Sequence, residues 1–170
     1  MIETEEEKFI QIIQVHKAKI ARICKAYAIQ PLDPQDLFQE VVCEIWKSLA
    51  SFKGKSELGT WIYRVALNVC YRAHHKNKIK NQQTIHLEGV KFEISSPQES
   101  PDEMKYLILR ECITKLEEVD RSIIMLYLEE LPYKNIADIV GLSANNIAVR
   151  VKRIKPKLLE CIVSKQGKGE

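Results

Sequence analysis

The side chains best placed for chemistry in this sequence are suited to holding a polyanion. Between Phe52 and Lys78 the aromatic residues Phe52, Trp61, Tyr63 and Tyr71 are interleaved with Lys53, Lys55, Arg64, Arg72, Lys76 and Lys78. Cations that track phosphates, beside π faces on which bases can stack, are the equipment of a single-stranded nucleic-acid binder. On helical spacing Ile62, Val65, Ala66 and Val69 form a buried stripe in the same segment, and Trp61 fits either the core or a DNA contact. Near the other end, Ser143 begins a run in which Ile147, Val151 and Ile154 recur at helical spacing. That stripe leaves Asn145, Asn146, Ala148, Val149, Lys152 and Arg153 facing outward. Asn suits adenine, Arg and Lys suit guanine or phosphate, and Ala or Val can meet a thymine methyl. Arg150 lies on the flank, where a phosphate would run, and can also bridge back to an acid in the preceding helices.

Other constellations carry less. Asp36, Gln39, Glu40 and Glu44 share one side of a helix, which alone reads as a solvated surface. Cys70, His74 and His75 have ligand-like spacing, but no second cluster completes a tetrahedral metal site. The five cysteines are scattered without a Cys-x-x-Cys motif, and the expectation is buried free thiols. No phosphate loop, dinucleotide turn or nucleophile elbow is present, so neither a cofactor nor catalysis is expected.

The elements that must position these groups read as helices. Phe9, Ile12, Ile13, Ile20, Ile23 and Tyr27 give a helix over residues 5–28. Asp33 is a good N-cap, Pro34 fits the first helical position, and Asp36 lies where the helix dipole favours an anion. Leu37, Val41, Ile45 and Leu49 then form one apolar stripe. Gly54 to Gly59 reads as a loop, and Thr60 as the cap of a third helix running to about Lys78. Residues 81–103 are polar, acidic and Pro/Ser-bearing, too long for a loop inside one compact domain. They read as an interdomain linker, although Val90 to Ile94 alternates like a short strand. Helices resume at Asp102, with a second over Asp120–Leu128 and a short one over Tyr133–Val140. Gly141 supplies a left-handed C-terminus and Ser143 caps the helix that follows, which is the sequence form of a helix-turn-helix. Pro156 should end or kink that last helix near Lys155. The expected fold is all-α: two small helical domains joined by a flexible linker, the second containing the helix-turn-helix.

Charge agrees with two separate polyanion surfaces. The net charge of the 170 residues is only +3. Residues 53–80 nevertheless hold seven Lys/Arg against Glu57, and residues 146–168 hold seven against Glu160. Acidic blocks lie at 33–46 and 86–103. The apolar fraction of 45% suits a globular core. No apolar run reaches the ~18–20 residues that span a bilayer, and the acidic start is unlike a secretory signal, so a cytoplasmic location is expected.

Together these segments resemble a known family. Asp36-Leu-Phe-Gln39-Glu40, Trp46, Phe52-Lys-Gly54-Lys-Ser56 and Thr60-Trp61-Ile62-Tyr63-Arg64-Val65-Ala66-Leu67-Asn68 look like region 2 of bacterial RNA polymerase sigma factors. Tyr133-Lys-Asn-Ile136-Ala137-Asp-Ile-Val140-Gly141-Leu142-Ser143 and Ile147-Ala-Val-Arg150-Val151-Lys-Arg153 look like region 4. A short chain with only these two regions is similar to the extracytoplasmic-function type.

The resemblance implies a division of roles. The face of Asp36, Gln39 and Glu40 would bind a coiled coil of the core polymerase. Phe52, Lys53, Lys55, Trp61, Arg64, Asn68 and Arg72 would recognise and open the −10 element and hold its single strand. Ser143, Asn145, Asn146, Ala148, Val149, Arg150, Lys152 and Arg153 would dock on the duplex −35 element. Many relatives carry a basic residue and a small hydroxyl where this chain has Ala148 and Val149. The implied domains are 1–80 (region 2), 81–103 (acidic linker), 104–165 (region 4) and a disordered tail at 166–170. Partners would be core RNA polymerase and promoter DNA, with an anti-sigma factor as an optional third and no small-molecule substrate or membrane insertion. The competing reading is a stand-alone helix-turn-helix regulator, which has no use for an acidic face plus an aromatic, basic helix.

Overall fold

Three of the helices start where a side chain satisfies the first backbone amides. The structure, a computed structural model, describes residues 3–28, 31–83 and 101–168, which hold helices and their connections and no strand. Helix α1 (Glu5–Tyr27) opens on Thr4 and Glu7, which cap each other's backbone amides reciprocally. Helix α2 (Pro34–Leu49) opens on Asp33, whose carboxylate accepts from the amides of Gln35 and Asp36. Helix α3 (Leu58–Gln83) starts two residues before Thr60. Thr60 is therefore not a cap; it is buried in the first turn. The three helices pack on one another around Ile20, Ile23, Tyr27, Leu37, Val41, Ile45, Ile62 and Ala66. Burying each such Ile or Leu stabilises the fold by roughly 1.5–3 kcal/mol.

The second unit contains α4 (Pro101–Thr114), α5 (Glu118–Leu128), α6 (Tyr133–Val140) and α7 (Ala144–Gln166). Ile113, Ile123, Ile124, Leu126, Ile136, Ile147, Val151 and Ile154 form its core. Gly141 ends α6 at φ 77°, a left-handed conformation that glycine adopts without steric penalty. Ser143 accepts from the Asn146 amide and starts α7.

Of the two outcomes expected of Pro156, an end or a kink, helix α7 does not show the end. It does not end near Lys155 but continues to Gln166. A mid-helix proline costs about 3 kcal/mol through a lost hydrogen bond and a clash one turn back. Here the ring is exposed, and Leu158, Cys161 and Ile162 beyond it pack into the core, which offsets that cost.

The cysteines also differ from expectation. Cys24 and Cys70 are buried thiols, but Cys43 is exposed, and Cys112 and Cys161 are joined in a disulfide between α4 and α7. Their sequence separation of 49 residues hides a Cα separation of 5.9 Å.

The two units touch. Helix α3 lies against α6, and α1 lies against α4. The Tyr27 hydroxyl meets Ser122, Arg22 grips Glu129 with Nη2 2.8 Å from Oε2, and His75 Nε2 lies 3.1 Å from Glu118 Oε2. Helix α3 continues to Gln83 and α4 starts at Pro101, so helix enters both ends of the stretch read as a linker. The interior of that stretch, including the strand-like Val90 to Ile94, lies outside the described residues, as does the end of the tail beyond Lys168.

Candidate nucleic-acid interface

The first candidate face is built on α3. Residues 61, 65, 68 and 72 follow one another at helical spacing, so Trp61, Val65, Asn68 and Arg72 form a stripe beside Tyr71. With Glu44 and Ser48 of α2 they line an open cleft of about 410 Å³. Asn68, Tyr71 and Arg72 are exposed, and Val65 and Trp61 are half-buried. Trp61 is partly packed and partly open to the cleft. One part packs on Phe52, with ring centroids 5.2 Å apart, and the rest walls the cleft. Lys53 and Lys55 are exposed on the loop before α3, on either side of Gly54, whose φ of 68° lets the chain reverse there.

Two residues of the basic and aromatic set go elsewhere. Tyr63 is buried, with its hydroxyl 3.1 Å from His16 Nδ1, so it belongs to the core rather than to a stacking surface. Burial raises its pKa to about 12. Arg64 points toward the second unit, where its Nη2 donates to the Asp138 carbonyl at 2.8 Å. The side chain of Lys78 lies outside the described residues. Asn68 and Tyr71 also border a second cleft of about 280 Å³, whose far wall is Glu118, Val119, Ser122, Ile139 and Val140.

The second candidate face is the N-terminal half of α7. Asn145, Asn146, Val149, Lys152 and Arg153 are exposed, and Ala148 is half-buried. Val149, at 66% exposure, is an apolar side chain held out to solvent at the centre of this face. Ser143 caps the helix and presents the amides of its first turn outward.

The cations of α7 are organised from behind by one acid. Asp120, buried at the start of α5, accepts from Arg150 Nη1 at 2.7 Å and lies 3.6 Å from Arg153 Nη2. Arg150 Nε also donates to the Asn146 side-chain oxygen at 3.0 Å. Arg150 thus bridges back to the preceding helices and holds the Asn146 side-chain oxygen. Asp120 could not be singled out beforehand, because an acid in a first helical turn ordinarily serves the dipole.

Asp36, Gln39 and Glu40 are all exposed on α2, opposite buried Leu37, Val41 and Ile45. Cys70 faces the Cys24 sulfur at 4.0 Å and His75 faces Glu118, so the ligand-like spacing of Cys70, His74 and His75 does not bring the three together. Among the described residues no group of three His, Cys, Asp or Glu side chains could hold a metal ion, and no helix is long and apolar enough to cross a membrane.

The chain matches known proteins over both units. Residues 12–79 match sigma-70 region 2, and residues 106–158 match sigma-70 region 4. It is 24% identical over 162 residues to the ECF RNA polymerase sigma-E factor of Escherichia coli K12, covering 89% of this chain and 84% of that protein. The sigma-E factor of Haemophilus influenzae is 21% identical, covering 89% and 85%. The fold is similar to that of the sigma factor RpoE from Bartonella quintana, solved with the anti-sigma factor NepR. The TM-score is 0.73 at 19% identity, over 92% of this chain and 97% of that one. It is also similar to CnrH, solved with the cytosolic domain of CnrY, at a TM-score of 0.69 and 18% identity, over 94% and 90%. With both regions matched, in order, on the two units that carry the exposed α3 and α7 faces, the chain belongs to the sigma-70 family, in its extracytoplasmic-function branch.

Proposed function

We propose that the α3 cleft and the α7 face divide promoter recognition between them, within a factor that binds core RNA polymerase and directs promoter-specific initiation. The α3 stripe holds the −10 element as single strand. Trp61 and Phe52 offer stacking surfaces, Asn68 reads a base edge, and Lys53, Lys55 and Arg72 follow the phosphates. Arg64 joins them once it leaves the Asp138 carbonyl. Helix α7 docks in the major groove of the −35 duplex. Asn145, Asn146, Ala148, Val149 and Lys152 lie nearest base edges, Arg153 meets phosphate, and Ser143 and Arg150 hold the helix and its side chains in place. Asp36, Gln39 and Glu40 form the face for core polymerase. On this reading the protein performs no catalysis of its own and works in the cytoplasm, where polymerase is. An anti-sigma factor is a partner of the class bound by the Bartonella quintana neighbour.

One observation carries the division: both faces project exposed Asn side chains beside cations, yet they sit on separate units that touch through α3 and α6. That contact sets the order of events. With α6 lying along α3 and Arg64 bonded to Asp138, the free protein binds promoter DNA weakly, and engagement of α2 by core polymerase frees α3. Run-off transcription with purified core polymerase tests the function. Initiation should require the protein and both promoter elements. A protein that binds the −35 duplex as tightly alone as in holoenzyme, and adds no initiation to core, would instead be a stand-alone regulator.

A further inference from the structure

Four of the five cysteines form two pairs between helices, and the pairs differ in access. Cys24 and Cys70 stand as thiols, both wholly buried. Cys112 is buried as well, but its partner Cys161 is half-buried, so Cys161 is the more open side of the bridged pair. The bridge crosses the seam between α4 and the far half of α7. One turn beyond Cys161, Lys165 pairs with Glu111, the neighbour of Cys112. Pro156 lies between this tethered half and the half that carries Asn145 to Arg153. At Pro156 the helix lacks one backbone donor, so its continuity depends on what holds residues 158–166 in place. In a reducing compartment a disulfide is typically transient and redox-sensing rather than a permanent brace.

We propose that Cys112 and Cys161 are a reversible redox staple that sets how firmly the recognition helix is held. This rests on the reading of α7 as the −35 helix. The oxidant is a low-molecular-weight disulfide such as glutathione disulfide. Cys161, as thiolate, attacks one sulfur of that disulfide and forms a mixed disulfide, expelling one glutathione thiolate. Cys112 then loses its proton and attacks the Cys161 sulfur. The protein disulfide forms and the second glutathione thiolate leaves. The protein loses two electrons and two protons, and glutathione disulfide becomes two thiols. A dithiol reductant reverses the steps, entering at Cys161, the less buried of the two. Bridged, α7 meets DNA with its far half already ordered, which lowers the entropy lost on docking.

Two measurements on the full chain test this. The first is alkylation of each cysteine, resolved by peptide mass, across a series of glutathione to glutathione disulfide ratios. Cys112 and Cys161 should lose reactivity together within the series, while Cys24 and Cys70 stay thiols. A pair that remains dithiol throughout, or bridged throughout, overturns the proposal. The second is −35-dependent initiation by holoenzyme made with oxidised or reduced protein. Oxidised protein should bind the −35 duplex roughly fivefold more tightly. Cys161→Ser, at the more exposed position, should match the reduced protein under both conditions, with Cys112→Ala as a second variant. Equal or weaker affinity after bridging overturns the proposal. If reduced protein shows no −35 dependence at all, the reading of α7 fails, while the alkylation series still decides whether the pair is a redox couple.

Discussion

The α3 and α7 faces use similar residue types but hold them differently. On α3 the stripe of Asn68 and Arg72 stands over a cleft, and a further cation of the helix, Arg64, is drawn off to a carbonyl of the other unit. On α7 the cations Arg150 and Arg153 are gathered by Asp120 within their own unit. The difference fits two kinds of ligand. A single strand is flexible and can adapt to a cleft bounded by an aromatic wall and exposed cations. A duplex is rigid, so the helix that enters its groove benefits from side chains already set in place. A cation on an outward stripe is therefore not automatically a DNA contact: a buried carboxylate or a neighbouring carbonyl can claim it first.

Asp120→Ala should break the comparison most severely. It leaves Arg150 half-buried without its main partner, and removing one member of a buried pair destabilises by roughly 3–5 kcal/mol. With Arg150 only partly buried, the loss should fall at the low end, about 3 kcal/mol in urea unfolding. Binding to all −35 sequences should weaken together as region 4 loosens. A loss confined to one base position would mean that Asp120 and Arg150 act in readout.

Asn146→Ala against Arg153→Ala sharpens the α7 assignments. The first should relax preference at one −35 position by roughly 1–3 kcal/mol. The second should weaken binding to every sequence and lower the salt slope by about one unit. Selection from randomised −35 DNA distinguishes them, and the reverse pattern would exchange the two roles.

Asp36→Lys with Glu40→Lys addresses the face on α2. Both residues are exposed, so unfolding should change by less than about 1 kcal/mol. Affinity for core polymerase should fall at least about tenfold, equivalent to roughly 1.4 kcal/mol. Unchanged affinity of the folded variant would move the polymerase contact elsewhere.

The smallest effect is alkaline and absent at neutral pH. Burial raises the Tyr27 pKa to about 12, outweighing the opposite effect of the hydrogen bond between its hydroxyl and Ser122 across the two units. The folded chain holds this proton more tightly than an unfolded chain, whose Tyr titrates near pH 10. The associated stability is complete below about pH 10 and lost as pH rises through about 12. Ultraviolet titration of the phenolate alongside circular dichroism should show Tyr27 ionising together with unfolding, and ionisation of a still-folded protein near pH 10 would contradict its burial.

Much of the architecture was legible because its causes are local. Asp33-Pro34, Gly141 and Ser143 act on amides within one turn, so their positions set helix boundaries directly. The apolar stripes of α1, α2 and α7 are likewise periodic facts of the chain. The reading failed where a contact between distant segments outweighed a local rule. Thr60 looked like a cap, yet the helix starts earlier and buries it. Pro156 looked like a terminus or a kink, and packing beyond it rules out the terminus by keeping α7 continuous. Tyr63 had the spacing of a stacking residue, but its neighbour across the core is His16, 47 residues away.

By itself, then, the sequence determined an all-α chain, a helix-turn-helix with Asn145, Asn146, Val149 and Lys152 outward, and an acidic face on α2. These follow from helical period, caps and turn residues, whose range is a few positions. Tertiary structure alone decided that Asp120 gathers Arg150 and Arg153, that Arg64 reaches Asp138, and that Cys112 meets Cys161. Each of these pairs is 30 or more residues apart. Their energies depend on distances of a few ångströms, which no spacing along the chain encodes until the helices have packed.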